Sequence, residues 1–405
     1  MAPAEPNAKP FEVQGELPVF AEERKGWKGY VEWERYPEKK KQAAEVLARY
    51  DFPVVSKNIP VQWRTAKEID PEEYFFEVEG LVNKPMKLTL KDLQDESRFP
   101  RMSTAVTLQC SGTRRIEQIH DYPGDGDELI NAPWGEGAIG TARYVGVSLK
   151  KVIKYCGGLK EEGKNIEFFG ADSYFKKGQI YNYAVSVPTH KMKVNEVMLA
   201  WEMNGEPLPA IHGAPLRVVV MGYIGARSCK WLTRINVIRD PSMAPVQMKE
   251  YIYYTPQIGK HNATYSNGFS IQTMPVASAI MTPVDKDVII HDGKIKMTGW
   301  AYSGSGWPER VEVSNDGGGV WYEVPYDQLS KKYFHAWRTW EIDIPVDAEG
   351  WLVNRSKPQT AKRLKMYEDH GTDFLPLTRP APFDLETEEE YLEEMKKREG
   401  RDPVE

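Results

Sequence analysis

The stretch Met102-Ser-Thr-Ala-Val-Thr-Leu-Gln-Cys-Ser-Gly-Thr-Arg-Arg115 is the most informative part of the sequence. Its first part, Met102–Gln109, is rich in apolar and β-branched residues and predicts a strand. The strand runs directly into Cys110, which two adjacent arginines follow closely. Neighbouring guanidinium groups favour a thiolate, which attacks electrophiles or binds a soft metal, and arginine pairs also bind small oxyanions. The alternative is that Cys110 is a small buried hydrophobic residue.

A second polar cluster brackets the apolar run Leu216–Met221, which predicts a buried strand. Glycines alternate there with cationic and hydroxyl side chains: His212, Arg217, Gly222, Gly225, Arg227, Ser228 and Lys230. This combination suits a phosphate, because the backbone can approach the anion closely while Arg and Lys neutralise it. The alternative is a basic surface loop interrupted by core residues.

The chain of 405 residues is too long for one ordinary compact core, and its pattern changes near Val276. Mixed helix and strand signals before that point predict an α+β domain. Short alternating strands after it predict an all-β immunoglobulin-like sandwich. Such a sandwich needs about seven strands, and the sequence offers fewer, so this domain is predicted to be shortened. The predicted division is a polar N-terminal extension (1–50), the α+β domain (51–250), the all-β domain (251–350) and a polar C-terminal tail (351–405).

The secondary-structure predictions follow the same division. In the first domain, strands are predicted at Tyr74–Gly80, Met102–Gln109, Ile166–Phe169, Tyr181–Val187 and Leu216–Met221. In the second domain they are predicted at Asp287–Ile290, Lys294–Tyr302, Glu309–Ser314 and Trp321–Val324. Helices are predicted at Glu38–Arg49, at Ser148–Tyr155 (ended by Gly157-Gly158) and over residues 384–400.

Composition excludes several classes of protein. With 53 basic and 59 acidic side chains the net charge is −6, which does not indicate a nucleic-acid binder. No apolar run is long enough to cross a membrane, and no leader or peroxisomal signal is evident, so an intracellular, cytoplasmic or mitochondrial protein is expected. Three widely spaced cysteines form neither a disulfide framework nor a zinc ribbon, and the sequence contains no haem attachment motif.

Several segments resemble the sulfite oxidase family of molybdenum enzymes. The segment Leu108-Gln-Cys-Ser-Gly-Thr-Arg-Arg115 resembles the family motif Leu-Gln-Cys-Ala-Gly-Asn-Arg-Arg. Further matching segments follow in the family's order: Met203–Val220, Gly222–Leu232, Thr298–Gly306 and Asn315-Asp-Gly-Gly318. The resemblance covers roughly residues 50–345 and is to plant- and fungal-like members without a haem domain.

The resemblance implies a molybdenum–molybdopterin cofactor and assigns residues to it. Cys110 would be the only protein ligand of the metal, and the pterin dithiolene would supply the other sulfurs. The implied cofactor-binding residues are Val55, Ser56, Lys57, Asn58, Ile59, Asp172, His212, Arg217, Arg227, Ser228, Cys229 and Lys230. The implied catalytic residues, which line the anion pocket beside Cys110, are Lys57, Arg115, Trp134 and Tyr251.

The implied reaction is oxidation of sulfite to sulfate by oxo transfer, with no haem in this chain and electrons passed to an external acceptor, dioxygen or cytochrome c. The sequence departs from the family at two places. Thr113 stands where the motif has Asn, and Lys57-Asn58-Ile59 stands where relatives carry Arg-Asn-His. Lysine keeps the charge of arginine but loses its bidentate geometry, so weaker sulfite affinity is expected.

Two other functions remain open at this point. A nitrate reductase-like molybdenum domain would reduce an oxyanion instead, although Ser228 and Tyr251 match the sulfite type. A non-catalytic anion-binding module is the third alternative. Family members form homodimers through the all-β domain, but the family's strands beyond Trp351 are missing here. A weakened homodimer is therefore expected, because a lost strand leaves a sheet edge uncovered.

Overall fold

The computed structural model describes residues 69–114, 136–176, 179–255, 257–258, 263–283, 289, 293–346 and 355–359. In the first domain the strands are β1 Phe75–Gly80, β2 Met86–Thr89, β3 Arg101–Gln109, β4 Ile139–Ser148, β5 Asn165–Lys176, β6 Gln179–Pro188, β7 Val197–Met203, β8 Glu206–Pro207, β9 Arg217–Val220 and β10 Leu232–Ile238. The helices are α1 Leu90–Gln94, α2 Leu149–Tyr155, α3 Thr189–Lys193 and α4 Pro245–Met248. In the remainder of the described chain the strands are β11 Ile252–Tyr253, β12 Phe269–Ser270, β13 Ala277–Thr282, β14 Lys294–Tyr302, β15 Arg310–Ser314, β16 Tyr322–Glu323, β17 Arg338–Pro345 and β18 Arg355–Gln359.

Two sheets form the α+β domain. The first has the order β2-β1-β10-β5-β6, in which β1 and β10 are parallel and the other pairs are antiparallel. The second has the order β3-β4-β7-β8, with β9 paired to β7. Strand β1 alternates as a half-buried strand should, since Phe76 and Val78 are buried between exposed neighbours. The main hydrophobic core combines β1, α2, β5, β6 and β10 with residues of β7 and β9.

Strand β9 is buried along its whole length, as its apolar run predicted. It pairs antiparallel with β7, from Arg217 opposite Ala200 to Val220 opposite Val197. Both faces of β9 are covered, so side chains on either face are removed from solvent, and apolar residues are expected at every position. Arg217 is therefore a charged residue inside a core strand, and its position needs a functional explanation.

The all-β domain is a sandwich of two antiparallel sheets, β13-β14-β17 and β16-β15-β18. Side chains of β14, β15 and β17 form its core, with Trp340 and Ile344 among the buried residues. The sequence predicts a polar tail over residues 351–405. This prediction is wrong for Arg355–Gln359, which form strand β18. Its backbone pairs with β15, with Arg355 opposite Ser314 and Pro358 opposite Val311. Backbone pairing requires no hydrophobic alternation, which explains why this strand was missed.

Most sequence-based elements are confirmed. The predicted strand Lys294–Tyr302 has the bounds of β14, and the helix Ser148–Tyr155 is α2 with Ser148 as its N-cap. Gly157 and Gly158 end α2 in left-handed conformation, as predicted. Strands β4, β7 and β10 were not predicted. The predicted helices Glu38–Arg49 and 384–400 lie outside the described residues, as does most of the strand Asp287–Ile290.

The two domains meet along a tightly packed boundary. The carbonyl of Gly222, after β9, accepts the amide of Met274 (3.0 Å), and the carbonyl of Met274 accepts the amide of Gly304 (3.0 Å). A Cβ atom on Gly222 would overlap the carbonyl oxygen of Gly304, and Gly222 has φ +77°. Trp300 of β14 also donates its indole N–H to the carbonyl of Glu136, at 3.1 Å. The all-β domain therefore contacts the backbone that leads into the second polar cluster.

Replacing Gly222 by alanine should destabilise the protein by about 2–4 kcal/mol, because the new side chain adds backbone strain to a steric overlap. Gly306→Ala is the matched control, since no atom lies within 4 Å of a Cβ built there. Thermal unfolding of the two variants checks the prediction. Equal melting temperatures would show that the boundary adapts without cost.

Candidate active site

Cys110 lies in a turn that begins where β3 ends. Its amide donates to the carbonyl of Ala138 (2.9 Å), and its Sγ accepts the amide of Gly112 (3.3 Å). The hydroxyl of Thr113 bridges the carbonyl oxygens of Cys110 and Ala138, at 2.9 and 2.7 Å. The thiol is partly buried, whereas the other two cysteines are fully buried. Thr113, the departure from the family motif, therefore fixes the turn that presents Cys110.

Of the two arginines that follow Cys110, the structure describes Arg114. Arg114 has φ 67°, and its guanidinium donates to the carbonyl of Ser278 in β13. It therefore ties the Cys110 turn to the all-β domain. Arg115 lies outside the described residues, together with the other predicted residues Val55, Ser56, Lys57, Asn58, Ile59 and Trp134.

Arg217 is the centre of the second polar cluster. Its side chain is buried, with 3% of its surface exposed. Nη1 donates to the carbonyl of His212 (3.0 Å) and Nη2 to the carbonyl of Ser228 (3.3 Å). The ring of Tyr144 in β4 lies 5.5 Å from the guanidinium carbon. Arg217 thus brings together the two segments on either side of β9.

Lys230 places a second cation in the same cluster. It is also 3% exposed, and its Nζ donates to the carbonyl of Ile211 at 2.7 Å. The same atom lies 4.1 Å from the centre of the Trp231 ring. A Cβ on Gly213, which has φ +105°, would lie 2.8 Å from the Lys230 Cβ. Only glycine allows the backbone to approach Lys230 this closely.

Asp172 and Ser228 complete the cluster. Asp172 is buried beside Gly170 in β5, where a Cβ on Gly170 would overlap the Asp172 carboxylate and lie 2.8 Å from the Lys230 carbonyl. The Ser228 hydroxyl accepts the amide of Val220, at 3.0 Å. The structure therefore brings together the predicted residues Asp172, His212, Arg217, Ser228 and Lys230.

Cys229 is the exception among the predicted cofactor-binding residues of this segment. Its side chain is fully buried in the main hydrophobic core. Its amide donates to the carbonyl of Arg227 (3.1 Å), and its carbonyl accepts the amide of Val218 (2.7 Å). Neighbouring residues of an extended segment point to opposite sides, so Cys229 faces the core while Ser228 and Lys230 do not. The predicted contact of Cys229 with the cofactor therefore stays a prediction, while the burial of its side chain in the core is observed.

The histidine of the cluster carries no charge near neutral pH. Burial lowers the pKa of His212 to about 3, with smaller contributions from Arg217 and Lys230. The positive charge of the cluster therefore comes from the arginine and the lysine. Two buried cations that donate to backbone carbonyls attract a small dianion such as a phosphate group.

Tyr251 and Arg227 lie next to a short two-stranded ribbon formed by β11 and β12. Tyr251 has φ 52°, and its carbonyl accepts the amide of Ile271 at 2.8 Å. The side chain of Arg227 is completely buried and donates to Ser270 and Ile271 instead of entering the cation cluster. The predicted cofactor contact of Arg227 therefore stays a prediction, while its contact with the ribbon is observed.

The Cys110 turn and the cation cluster share one backbone connection. Gln109, immediately before Cys110, pairs with Ile224 as an isolated parallel bridge. Ile224 also donates its amide to the carbonyl of Gln272, at 2.8 Å. The loop that continues to Ser228 and Lys230 therefore starts beside the cysteine and beside the segment after the ribbon.

Comparison with known proteins identifies the family. The model for an oxidoreductase molybdopterin binding domain matches residues 63–246, and that for a Mo-co oxidoreductase dimerisation domain matches residues 268–356. Sulfite oxidase of Arabidopsis thaliana is 34% identical over 309 residues, which cover 72% of this chain and 76% of that protein. The chain belongs to the sulfite oxidase family.

Other relatives extend the comparison. Mitochondrial sulfite oxidase of Homo sapiens is 37% identical over 286 residues, or 69% of this chain and 50% of that protein. This chain thus spans about half the length of the mammalian sulfite oxidases that it matches. NADH nitrate reductase of Petunia hybrida is 31% identical, over 68% of this chain and 32% of that protein. The crystal structure of sulfane dehydrogenase SoxCD from Paracoccus pantotrophus matches with a TM-score of 0.60 and 27% identity, covering 74% of this chain and 70% of that one.

The observed residues fit the molybdenum cofactor of the sulfite oxidase family. Cys110 offers a soft sulfur ligand, and the buried Arg217 and Lys230 suit the phosphate of a pterin. Within the described ranges, no group of three His, Cys, Asp or Glu side chains could hold a metal ion by itself. In the same part of the chain, no helix is long and apolar enough to cross a membrane.

Two aromatic rings that contact the cations of the cluster, those of Tyr144 and Trp231, were not predicted from the sequence. The ring of Tyr144 packs against the Arg217 guanidinium. Because β4 was not predicted, no sequence signal indicated that this tyrosine lies near the site. Trp231 directly follows Lys230, so its contact with the Lys230 side chain could have been predicted from their adjacency in the sequence. Cation–aromatic contacts of this kind stabilise a buried cation before any anion binds.

The partly buried His212 should make the protein less stable in acid. Below its ordinary pKa of 6.5, the unfolded state binds a proton that the folded state, with a His212 pKa of about 3, does not accept. Stability should therefore fall as the pH decreases from 6.5, by up to about 2 kcal/mol at pH 5. His212→Gln should flatten this dependence in thermal unfolding measured from pH 7.5 to 4.5.

His190→Gln is the matched control, because His190 is exposed. Parallel pH profiles for wild type and His212→Gln would contradict the assignment of acid sensitivity to His212.

Proposed function

We propose that this protein oxidises sulfite to sulfate with a molybdenum–molybdopterin cofactor and passes two electrons to an external acceptor, dioxygen or cytochrome c. The observation that carries the proposal is the partly buried Cys110 beside the loop after β9, together with the buried cations Arg217 of β9 and Lys230 of that loop. Identity of 34–37% with proteins named sulfite oxidase supports it. The bound cofactor supplies the two-electron redox chemistry and the oxygen transfer, which no side chain of this chain could perform.

The chain's own residues hold the cofactor in place. Cys110 provides the thiolate for the metal, at a turn fixed by Thr113. Arg217 and Lys230 neutralise the pterin phosphate, Ser228 lies between them in sequence, and Asp172 lies on the adjoining strand. Since His212 stays neutral near pH 7, it offers a hydrogen bond to the pterin without adding a third positive charge.

Other residues bind the substrate. We assign Lys57, Arg115, Trp134 and Tyr251 to the anion pocket by their resemblance to the family pattern. Cationic Arg115 and Lys57 attract the sulfite dianion and stabilise its charge as it reacts. Ser228 and Tyr251 match the sulfite type of the family pattern rather than the nitrate type. Sulfite is therefore preferred over nitrate as the substrate.

Replacing Cys110 by serine should lower sulfite oxidation by more than about a hundredfold, because a hydroxyl is too hard a ligand to replace the thiolate. The matched control is Cys156→Ala, which changes a cysteine of the hydrophobic core. Burial raises the pKa of the Cys156 thiol to about 11, so this side chain is chemically inert near neutral pH. Its replacement should leave the activity nearly unchanged.

The assay follows sulfite oxidation with ferricyanide beside nitrate reduction with a viologen dye, and measures molybdenum and pterin content for each protein. Faster nitrate reduction than sulfite oxidation would favour the nitrate reductase alternative. A wild-type protein without molybdenum or pterin, made in a host that supplies them, would favour a non-catalytic anion-binding module.

We also propose that the chain forms a homodimer through its all-β domain. The weakened dimer was expected because strands after Trp351 are missing, but β18 pairs with β15 and covers that edge. A chain that ends after residue 346 should therefore dimerise less strongly and aggregate more than a chain that ends after residue 359. Size-exclusion chromatography with light scattering compares the two. Indistinguishable dimer dissociation would show that β18 contributes nothing to association.

A further inference from the structure

Arg227 is a completely buried cation, and within the described residues its side-chain hydrogen bonds go to one short segment. Its Nε and Nη2 donate to the carbonyl of Ile271, at 3.2 and 3.0 Å, and Nη2 also donates to the Ser270 hydroxyl at 2.8 Å. Within the described residues, its Nη1 has no hydrogen-bond partner. Burying a guanidinium costs more than burying a Met or Leu of similar volume, so the stability of the core does not explain this residue.

The segment that Arg227 holds is bonded to Tyr251. The amide of Ile271 donates to the Tyr251 carbonyl at 2.8 Å, so Ile271 connects the arginine to the tyrosine through its own peptide groups. Tyr251 has φ 52°, a left-handed conformation that is strained for a non-glycine residue and persists only where its surroundings enforce it. The contacts to Ile271 supply part of that enforcement.

A second polar side chain supports the same segment. Gln247 of α4 donates its Nε2 to the Ser270 hydroxyl at 3.1 Å, and its Oε1 accepts the amide of Ser186 in β6. Ser270 is thus held from two sides, by Arg227 and by Gln247. Burial lowers the pKa of Arg227 to about 10, and the nearby Tyr183 and Tyr251 oppose this shift, so the arginine stays charged near neutral pH.

We propose that Arg227 is a positioning residue for Tyr251: it fixes the Ser270–Ile271 segment and thereby the orientation in which Tyr251 meets the substrate anion. The inference rests on the proposed function, in which Tyr251 lines the anion pocket. Arg227 directly precedes Ser228 of the cation cluster, so it couples the position of the tyrosine to the loop that holds the cofactor. It acts on substrate binding through another residue and is not a cofactor ligand.

The first experiment reads the position of Tyr251 without using activity. 3-Fluorotyrosine is incorporated at position 251 alone, and the ¹⁹F spectrum of the cofactor-loaded protein is recorded for wild type, Arg227→Lys and Ser270→Ala. Lysine keeps the charge but cannot donate to Ile271 and Ser270 in a fork. We expect a shifted or broadened resonance in Arg227→Lys and a smaller change in the same direction in Ser270→Ala.

Arg98→Met is the control, since Arg98 is well exposed and pairs with Asp92 and Asp95. It should leave the resonance unchanged. An unchanged resonance in both Arg227→Lys and Ser270→Ala would overturn the inference. Loss of pterin from Arg227→Lys would also overturn it, because that result would make Arg227 a cofactor ligand.

The second experiment is a double-mutant cycle of Arg227→Lys with Tyr251→Phe, measured as kcat and KM for sulfite. We expect Arg227→Lys to raise KM about tenfold while it changes kcat less. In the Tyr251→Phe background the same substitution should change KM less than about twofold, because both changes affect one interaction. A full tenfold effect in both backgrounds would show a general structural role and overturn the inference.

The two experiments separate the inference from the proposed function. Absence of sulfite oxidation in the wild-type protein would refute the proposed substrate, while the ¹⁹F comparison would still decide whether Arg227 positions Tyr251.

Discussion

The burial of positive charge around β9 is the constraint on which the rest of the site depends. Arg217 and Lys230 are each 3% exposed, and both donate to backbone carbonyls of the turn that contains Ile211 and His212. Backbone carbonyl dipoles and the rings of Tyr144 and Trp231 lower the free-energy cost of burying the two cations. These neutral groups do not cancel the positive charge. A dianionic group would neutralise this charge, so this arrangement is prepared for a phosphate before any ligand arrives.

The loop that follows β9 and carries Lys230 also forms the boundary between the domains. At its start, Gly222 packs backbone against backbone with Gly304 of the all-β domain. In its middle, Arg227 holds the segment that supports Tyr251, and Arg114 ties the Cys110 turn to Ser278. The all-β domain therefore does more than provide a surface for association. Its position fixes the cysteine and the tyrosine relative to the cofactor cluster, so changes at the domain boundary should affect the site.

The sequence alone predicted those parts of the structure that depend on local pattern. Strand β14 and helix α2 follow from periodicity and capping, and the cation cluster follows from residues within one stretch of the chain. The misses depend on tertiary contacts. Strand β18 exists because β15 offers it a partner, which its polar sequence does not reveal. The side chain of Cys229 is buried in the hydrophobic core, which its place between Ser228 and Lys230 in the motif does not reveal.

Three cations of this region, Arg217, Arg227 and Lys230, are equally plausible cofactor ligands in the sequence, and all three are buried. Their partners separate them. Arg217 and Lys230 donate to the turn that contains His212, whereas Arg227 donates to Ser270 and Ile271 at the ribbon formed by β11 and β12. Because a guanidinium donates in a fixed fork, the groups that it contacts define the direction in which it acts more reliably than its charge does. The hydrogen-bond partners therefore distinguish three cations of β9 and its following loop that the sequence alone treats alike.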